Sequence, residues 1–225
     1  MNTALDHSNE YAPLAKEYLA LIMKVDRYSA SKIILDAVEE GMSVRDIYLH
    51  VFQPTLYEIG RLWQNNKITV AKEHFCTAVT QFIMSQLYPK IISSEKKDLN
   101  LVATCVGAEL HEIGIRMVAD FFEMEGWHTF FTGASTPVES IIKSIEELDT
   151  DVLAVSTSMT FNIFRVKELI DKVKEALPEH KVKIMVGGRP FNISPGIWNK
   201  VHADLYAPDA VAAIEIAEKK IYSEP

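Results

Sequence analysis

The chain has 225 residues, 48% hydrophobic and 24% charged, with a net charge of −8. That is the balance of a globular protein with one large domain or two small ones. The acidic excess, with no Lys/Arg cluster, argues against direct nucleic-acid binding, which needs a basic face. No apolar run reaches membrane-spanning length, and residues 1–10 lack a signal-like apolar core.

Cys76 and Cys105 lie in apolar stretches and read as buried thiols of a reducing compartment, so a cytoplasmic protein is expected. Residues 1–11 read as a disordered lead-in. Helical periodicity then predicts helices over 13–24 and 28–40, the second closed by Gly41. Ser43 is placed to cap a third helix carrying Phe52, Leu56, Ile59 and Trp63, which Pro54 kinks or restarts. After the turn 64–67, Thr69 caps a fourth helix reaching about Tyr88, with Phe75, Val79, Phe82 and Ile83 facing a core. Residues 12–89 therefore predict a four-helix bundle.

The polar stretch 90–100 reads as a linker, and beyond it the pattern changes. Short apolar runs at 101–106, 128–132, 151–156, 182–186 and 203–206 alternate with helical patterns at 112–125, 137–148, 161–177 and 209–221. Strict alternation predicts a doubly wound, parallel five-stranded α/β domain of the Rossmann or flavodoxin kind over 99–225. In the helix at 112–125, Glu112, Arg116, Asp120 and Glu123 are expected on the wet face, and Ile113, Met117, Phe121 and Met124 on the dry one.

Three loops at the carboxyl ends of these strands carry unusual residues. The first holds Glu109, His111 and Gly114, the third Ser156, Thr157 and Ser158, and the fourth Gly187 and Gly188. In open α/β sheets such loops meet on the ligand-binding edge. His111 reads as a metal ligand, a catalytic base or a plain loop residue. Glu109 is placed to hold its second ring nitrogen, and Gly114 to make a tight turn or admit a ligand to the backbone. There is no Gly-x-Ser-x-Gly elbow, no Gly-x-Gly-x-x-Gly and no Walker loop. One histidine cannot build a protein zinc site, but it suffices for a metal whose other ligands come from a macrocycle.

The motif Glu109-x-His111-x-x-Gly114, followed after forty-one residues by Ser156-x-Ser158 and then by Gly187-Gly188, resembles the cobalamin-binding domain of methionine synthase type. Glu109 stands where that family has Asp, and Ser158 where it has Leu. The resemblance implies that His111 binds cobalt from below as the lower axial ligand. Glu109, Glu112, Ile113 and Gly114 would surround it, and the displaced nucleotide tail would lie beside Ser156, Ser158, Gly187 and Gly188.

A second motif, Trp63-x9-Glu73-His74, resembles the helical cap of the light-sensing cobalamin proteins related to the CarH repressors. There these residue types surround the upper adenosyl group. Here Gln64 follows the tryptophan, where those repressors can carry a histidine, and no DNA-binding module is expected. The resemblance implies a photoreceptor that binds adenosylcobalamin through Trp63, Glu73 and His74. Methylcobalamin and hydroxocobalamin are the other cobalamin forms, and output passes to a protein partner or a homo-oligomer. The alternatives are a corrinoid protein carrying methyl groups for a methyltransferase system, and a binding module for another tetrapyrrole, a bilin.

Overall fold

A computed structural model describes residues 9–107, 109–194 and 196–223. The chain divides into two compact units, Met1–Ile91 and Ile92–Pro225. Most of the expected lead-in lies outside the described residues. Its last residue, Tyr11, is ordered, precedes the first helix and stacks on His50 with ring centroids 4.5 Å apart.

The first unit is helical. It contains α1 (Ala12–Met23), α2 (Arg27–Glu39) and a long rod made of α3 (Val44–Asp46), a π-helical stretch Ile47–Phe52 and α4 (Gln53–Gln64). It ends with α5 (Val70–Leu87) and a 3₁₀ turn Tyr88–Lys90. Local chemistry sets the starts. Asp26 accepts from the Ser29 N–H, Ser43 from the Asp46 N–H and Thr69 from the Lys72 N–H, each satisfying a donor the first helical turn leaves open. Pro54 marks where α-helix resumes after the π-helical stretch, in the first turn of α4. It lacks an N–H, and just before it the backbone widens so that the Gln53 N–H reaches the Tyr48 carbonyl, five residues back. The core is built on Tyr18, Ile22, Ile34, Ile47, Phe52, Ile59 and Ile83. The buried Tyr18 hydroxyl meets Thr80 Oγ1 at 2.8 Å. Phe82, expected in this core, is 55% exposed, because Val79, Ile83 and Met84 already fill the inward stripe of α5.

The second unit is a five-stranded sheet, all parallel, in the order β2-β1-β3-β4-β5. The strands are β1 (Asn100–Cys105), β2 (His128–Gly133), β3 (Val152–Ser156), β4 (Lys183–Gly187) and β5 (Leu205–Tyr206). The main crossover helices are α6 (Ile113–Met124), α7 (Val138–Glu147) and α8 (Ile163–Ala176), with the C-terminal α11 (Ala210–Ser223). Two short helices, α9 (Arg189–Ile193) and α10 (Ile197–Lys200), were not expected; four and five residues give too little periodicity to read. α6 packs with α11 and α7 with α8. Central strands buried on both faces explain why β1 and β3 read as unbroken apolar runs.

Two expectations fail here. Asp120 and Glu123 are buried, because α6 packs against both the sheet and α11 and so hides a broader stripe than one apolar face. Glu123 is compensated by Lys96 Nζ at 2.5 Å and Thr129 Oγ1 at 2.9 Å. The same lysine shows that the stretch 90–100 is not all free linker. The Lys97 N–H donates to the Gly126 carbonyl at 2.8 Å, and Lys97 Nζ pairs with Glu218 on α11. Among the described residues no helix is long and apolar enough to cross a membrane.

Candidate functional site

The strand order changes direction of winding between β1 and β3, the point at whose carboxyl edge open α/β sheets bind their ligands. Register aligns the exits. Cys105 pairs with Ser156 and Ser156 with Gly187, so three strands end level and their loops rise side by side. Glu109 and His111 lie in the loop after β1, Ser156 to Ser158 at the end of β3, and Gly187-Gly188 at the end of β4.

Glu109 is the best-held side chain of this edge, with only 2% of its surface exposed. One carboxylate oxygen, Oε1, meets Nδ1 of His111 and accepts from the His111 N–H at 3.3 Å. The other, Oε2, accepts from Thr157 Oγ1 at 3.1 Å, the Ser158 N–H at 3.1 Å, the Met159 N–H at 3.2 Å and Asn162 Nδ2 at 3.2 Å. Burial by itself would raise its pKa. The His111 ring, the Ser158 N–H and the Asn162 amide outweigh burial and hold the carboxyl down at about 2. It is therefore an anion at neutral pH.

That anion fixes the imidazole. A carboxylate on Nδ1 favours the tautomer with the proton there, which leaves Nε2 the nitrogen with a lone pair to offer. The His111 side chain is 47% exposed. Among the described residues no group of three or more His, Cys, Asp or Glu is arranged to hold a metal ion. The donor set is thus one oriented imidazole, suited to a metal that brings most of its own ligands.

The other predicted residues divide into three groups. Ser158 joins Glu109 through its backbone N–H. Glu112 reaches the next loop and accepts from the Ala134 N–H at 2.9 Å. Ile113 opens α6, and Gly114 follows it in helical backbone rather than in a turn, so the tight-turn expectation is not met. A Cβ on Gly114 would meet no heavy atom within 4 Å, which leaves open space for close approach to the backbone. Gly188 answers to the chain itself. Its φ is +103°, and a Cβ there would lie 2.1 Å from the Thr157 carbonyl oxygen. A Cβ on Gly187 would lie 3.1 Å from the Ala207 carbonyl oxygen.

Trp63, Glu73 and His74 belong to the helical unit. Trp63 is half-buried in the last turn of α4, and Glu73 lies in the first turn of α5. Glu73 Oε2 lies 2.5 Å from Nδ1 of the exposed His74, and Glu73 Oε1 accepts from Thr77 Oγ1 at 3.0 Å. Sequence reasoning placed Thr157 among the loop hydroxyls without tying it to Glu109, and did not single out Met159 or Asn162; with Ser158 these form the cradle for Glu109. The signal available was a Thr directly after a buried strand, and an Asn in the turn that precedes the next helix.

Residues 99–215 match the family described as B12 binding domain, and residues 14–88 match a second family of that description. The chain belongs to the B12-binding domain family. Its two units are the cobalamin-binding domain and the helical N-terminal domain found together in corrinoid proteins. It is 30% identical to the dimethylamine corrinoid protein 3 of Methanosarcina acetivorans, over 83% of this chain and 88% of that protein. It is 24% identical to the trimethylamine corrinoid protein 2 of the same organism, over 88% of this chain and 93% of the relative. The fold is that of the Methanosarcina barkeri monomethylamine corrinoid protein, with a TM-score of 0.80, 19% identity, and coverage of 95% of this chain and 99% of the other.

Proposed function

We propose that this chain is a corrinoid methyl carrier that works with a methyltransferase. The observation that carries the cobalamin part of the reading is His111 held through Nδ1 by the buried, ionised Glu109 at the switch point of the sheet, and the likeness to corrinoid proteins carries the methyl-carrier part. The donor set fits cobalamin. His111 Nε2 would be the lower cobalt ligand, Glu109 would fix its tautomer, and Gly114 would leave room beside the backbone. Glu112 and Ile113 would lie beside the lower ligand, and Ser156, Ser158, Gly187 and Gly188 are assigned to the walls around the cofactor's nucleotide tail. When bound, cobalamin supplies a cobalt centre that can accept a methyl group and give it up. The protein's part is to orient the imidazole, to keep a negative charge on the side of it away from the metal, and to hold that charge by the four donors on Oε2.

The relatives named above are corrinoid proteins, and a structural neighbour is the methanol:cobalamin methyltransferase complex of Methanosarcina barkeri, with a TM-score of 0.51. These likenesses favour the methyl-carrier alternative over the light-sensing reading, which they do not support. The test loads the chain with hydroxocobalamin and records absorbance and, after reduction, the cobalt EPR spectrum. With ¹⁵N-histidine in the chain, wild type should show a doublet from the labelled imidazole, and His111→Ala should replace it by the triplet of the cofactor's own base or by none. Labelled methyl groups from a methylamine should then appear on the loaded chain, once a chemical reductant has taken the cobalt to its +1 state, only when a methyltransferase is added. No labelling with any methylamine or methanol system, together with a light-dependent change in size or partner affinity that Trp63→Ala abolishes, would return the reading to a sensor.

A further inference from the structure

A cleft of about 90 Å³ opens between α7 and α8, floored by Cys105, Val106 and Gly107 at the end of β1. Its inner walls are the aliphatic side chains of Val106, Ile141 and Leu169, and its rim carries Arg165 and Lys172 with Glu168 as the single carboxylate. Arg165 is not a loose surface cation. Its Cδ lies 2.9 Å from where a Cβ on Gly107 would sit, and its guanidinium carbon is 5.3 Å from the centre of the Phe164 ring. Among the described residues neither Arg165 nor Lys172 makes an ion pair. The first turn of α7 carries Glu139, so the positive character of the mouth rests on Arg165 and Lys172 alone. Roughly three water volumes of space, apolar inside and cationic at the mouth, match a small amphipathic anion.

We propose that this cleft binds a short-chain carboxylate. Its carboxylate end lies on Arg165 and Lys172, and its alkyl end lies against Val106, Ile141 and Leu169. The site bears on the chain that leads to His111, because the Val106 carbonyl accepts the Glu109 N–H at 3.0 Å and the Gly107 carbonyl accepts the Ser135 N–H at 3.1 Å. A carboxylate here would sit beside the strand end from which the His111 loop leaves. Its binding is distinct from methyl carriage and independent of whether that reading holds.

The test titrates the full ¹⁵N-labelled chain with sodium propionate, and separately with sodium chloride and inorganic phosphate at matched ionic strength. Propionate should give saturable shifts at the amides of Gly107, Val138 and Leu169, with Kd of about a millimolar. Arg165→Met should weaken binding roughly tenfold by removing a charge-assisted contact. Val138→Phe, which changes no charge and fills the cleft, should weaken it at least as much. Equal shifts with chloride, phosphate binding as tightly as propionate, or wild-type affinity in Val138→Phe would overturn the proposal.

Discussion

Replacing Glu109 tests the site most directly. Glu109→Ala strips four donors of their acceptor on Oε2, and two of these belong to buried side chains, Thr157 and Asn162. A buried donor left without a partner costs about 1–3 kcal/mol, and breaking a buried charge arrangement costs about 3–5 kcal/mol in all, since the terms do not add. The expected loss is about 3–4 kcal/mol in the α/β unit. Urea unfolding of the cofactor-free chain should show it as a midpoint lower by roughly 2–4 M, given a slope of about 1–1.5 kcal/mol/M. Glu109→Gln keeps an acceptor for the four donors and should cost only about 1–2 kcal/mol. Its amide N–H₂ would face His111 Nδ1, which would then carry the lone pair while Nε2 takes the proton, so the EPR splitting from ¹⁵N-labelled histidine should vanish although the fold survives. The pH dependence has a definite sign. The folded pKa of about 2 lies below the ordinary 4.5, so the stability that the charge contributes is fully present above pH 4.5 and lost as pH falls towards 2. The gap between wild type and Glu109→Gln should close over that window. A loss below about 1 kcal/mol in Glu109→Ala, or an unchanged EPR spectrum in Glu109→Gln, would refute the clamp.

Gly188→Ala should destabilise the α/β unit by more than about 2 kcal/mol in the same urea assay, because its Cβ would meet the Thr157 carbonyl oxygen at 2.1 Å on a left-handed backbone. Gly126→Ala would put a Cβ 2.2 Å from the Glu95 carbonyl oxygen. It should free the segment tied by Lys96 and Lys97 and speed limited proteolysis between residues 92 and 97, while cleavage within α5 stays slow. Burial pushes the Cys105 thiol up to about 12 and the Cys76 thiol up to about 11. In the native chain at pH 8 both should react with a disulfide reagent far more slowly than in urea.

How legible each feature was depends on how local its cause is. Helix starts at Ser43 and Thr69 follow from one side chain and one N–H three residues on, and the sequence alone determined them. The buried parallel strands were legible because a strand covered on both faces must be apolar at every position. His111, Glu109 and the Gly187-Gly188 pair stood out by residue type, spacing and family resemblance, and the family they pointed to is the one the chain belongs to. Only the tertiary structure decided what depends on distant neighbours. Asp120 and Glu123 lie buried because α11, some ninety residues further along the chain, closes over α6. Phe82 points outward because α5 offers more apolar residues than one core stripe can take. The cradle of Glu109 is assembled from Thr157, Ser158, Met159 and Asn162, which begin forty-eight residues after it, and they meet it only because β1 and β3 are neighbours in the sheet. Sequence marked the carboxylate and the imidazole; strand order and register brought to them the donors that keep the carboxylate charged.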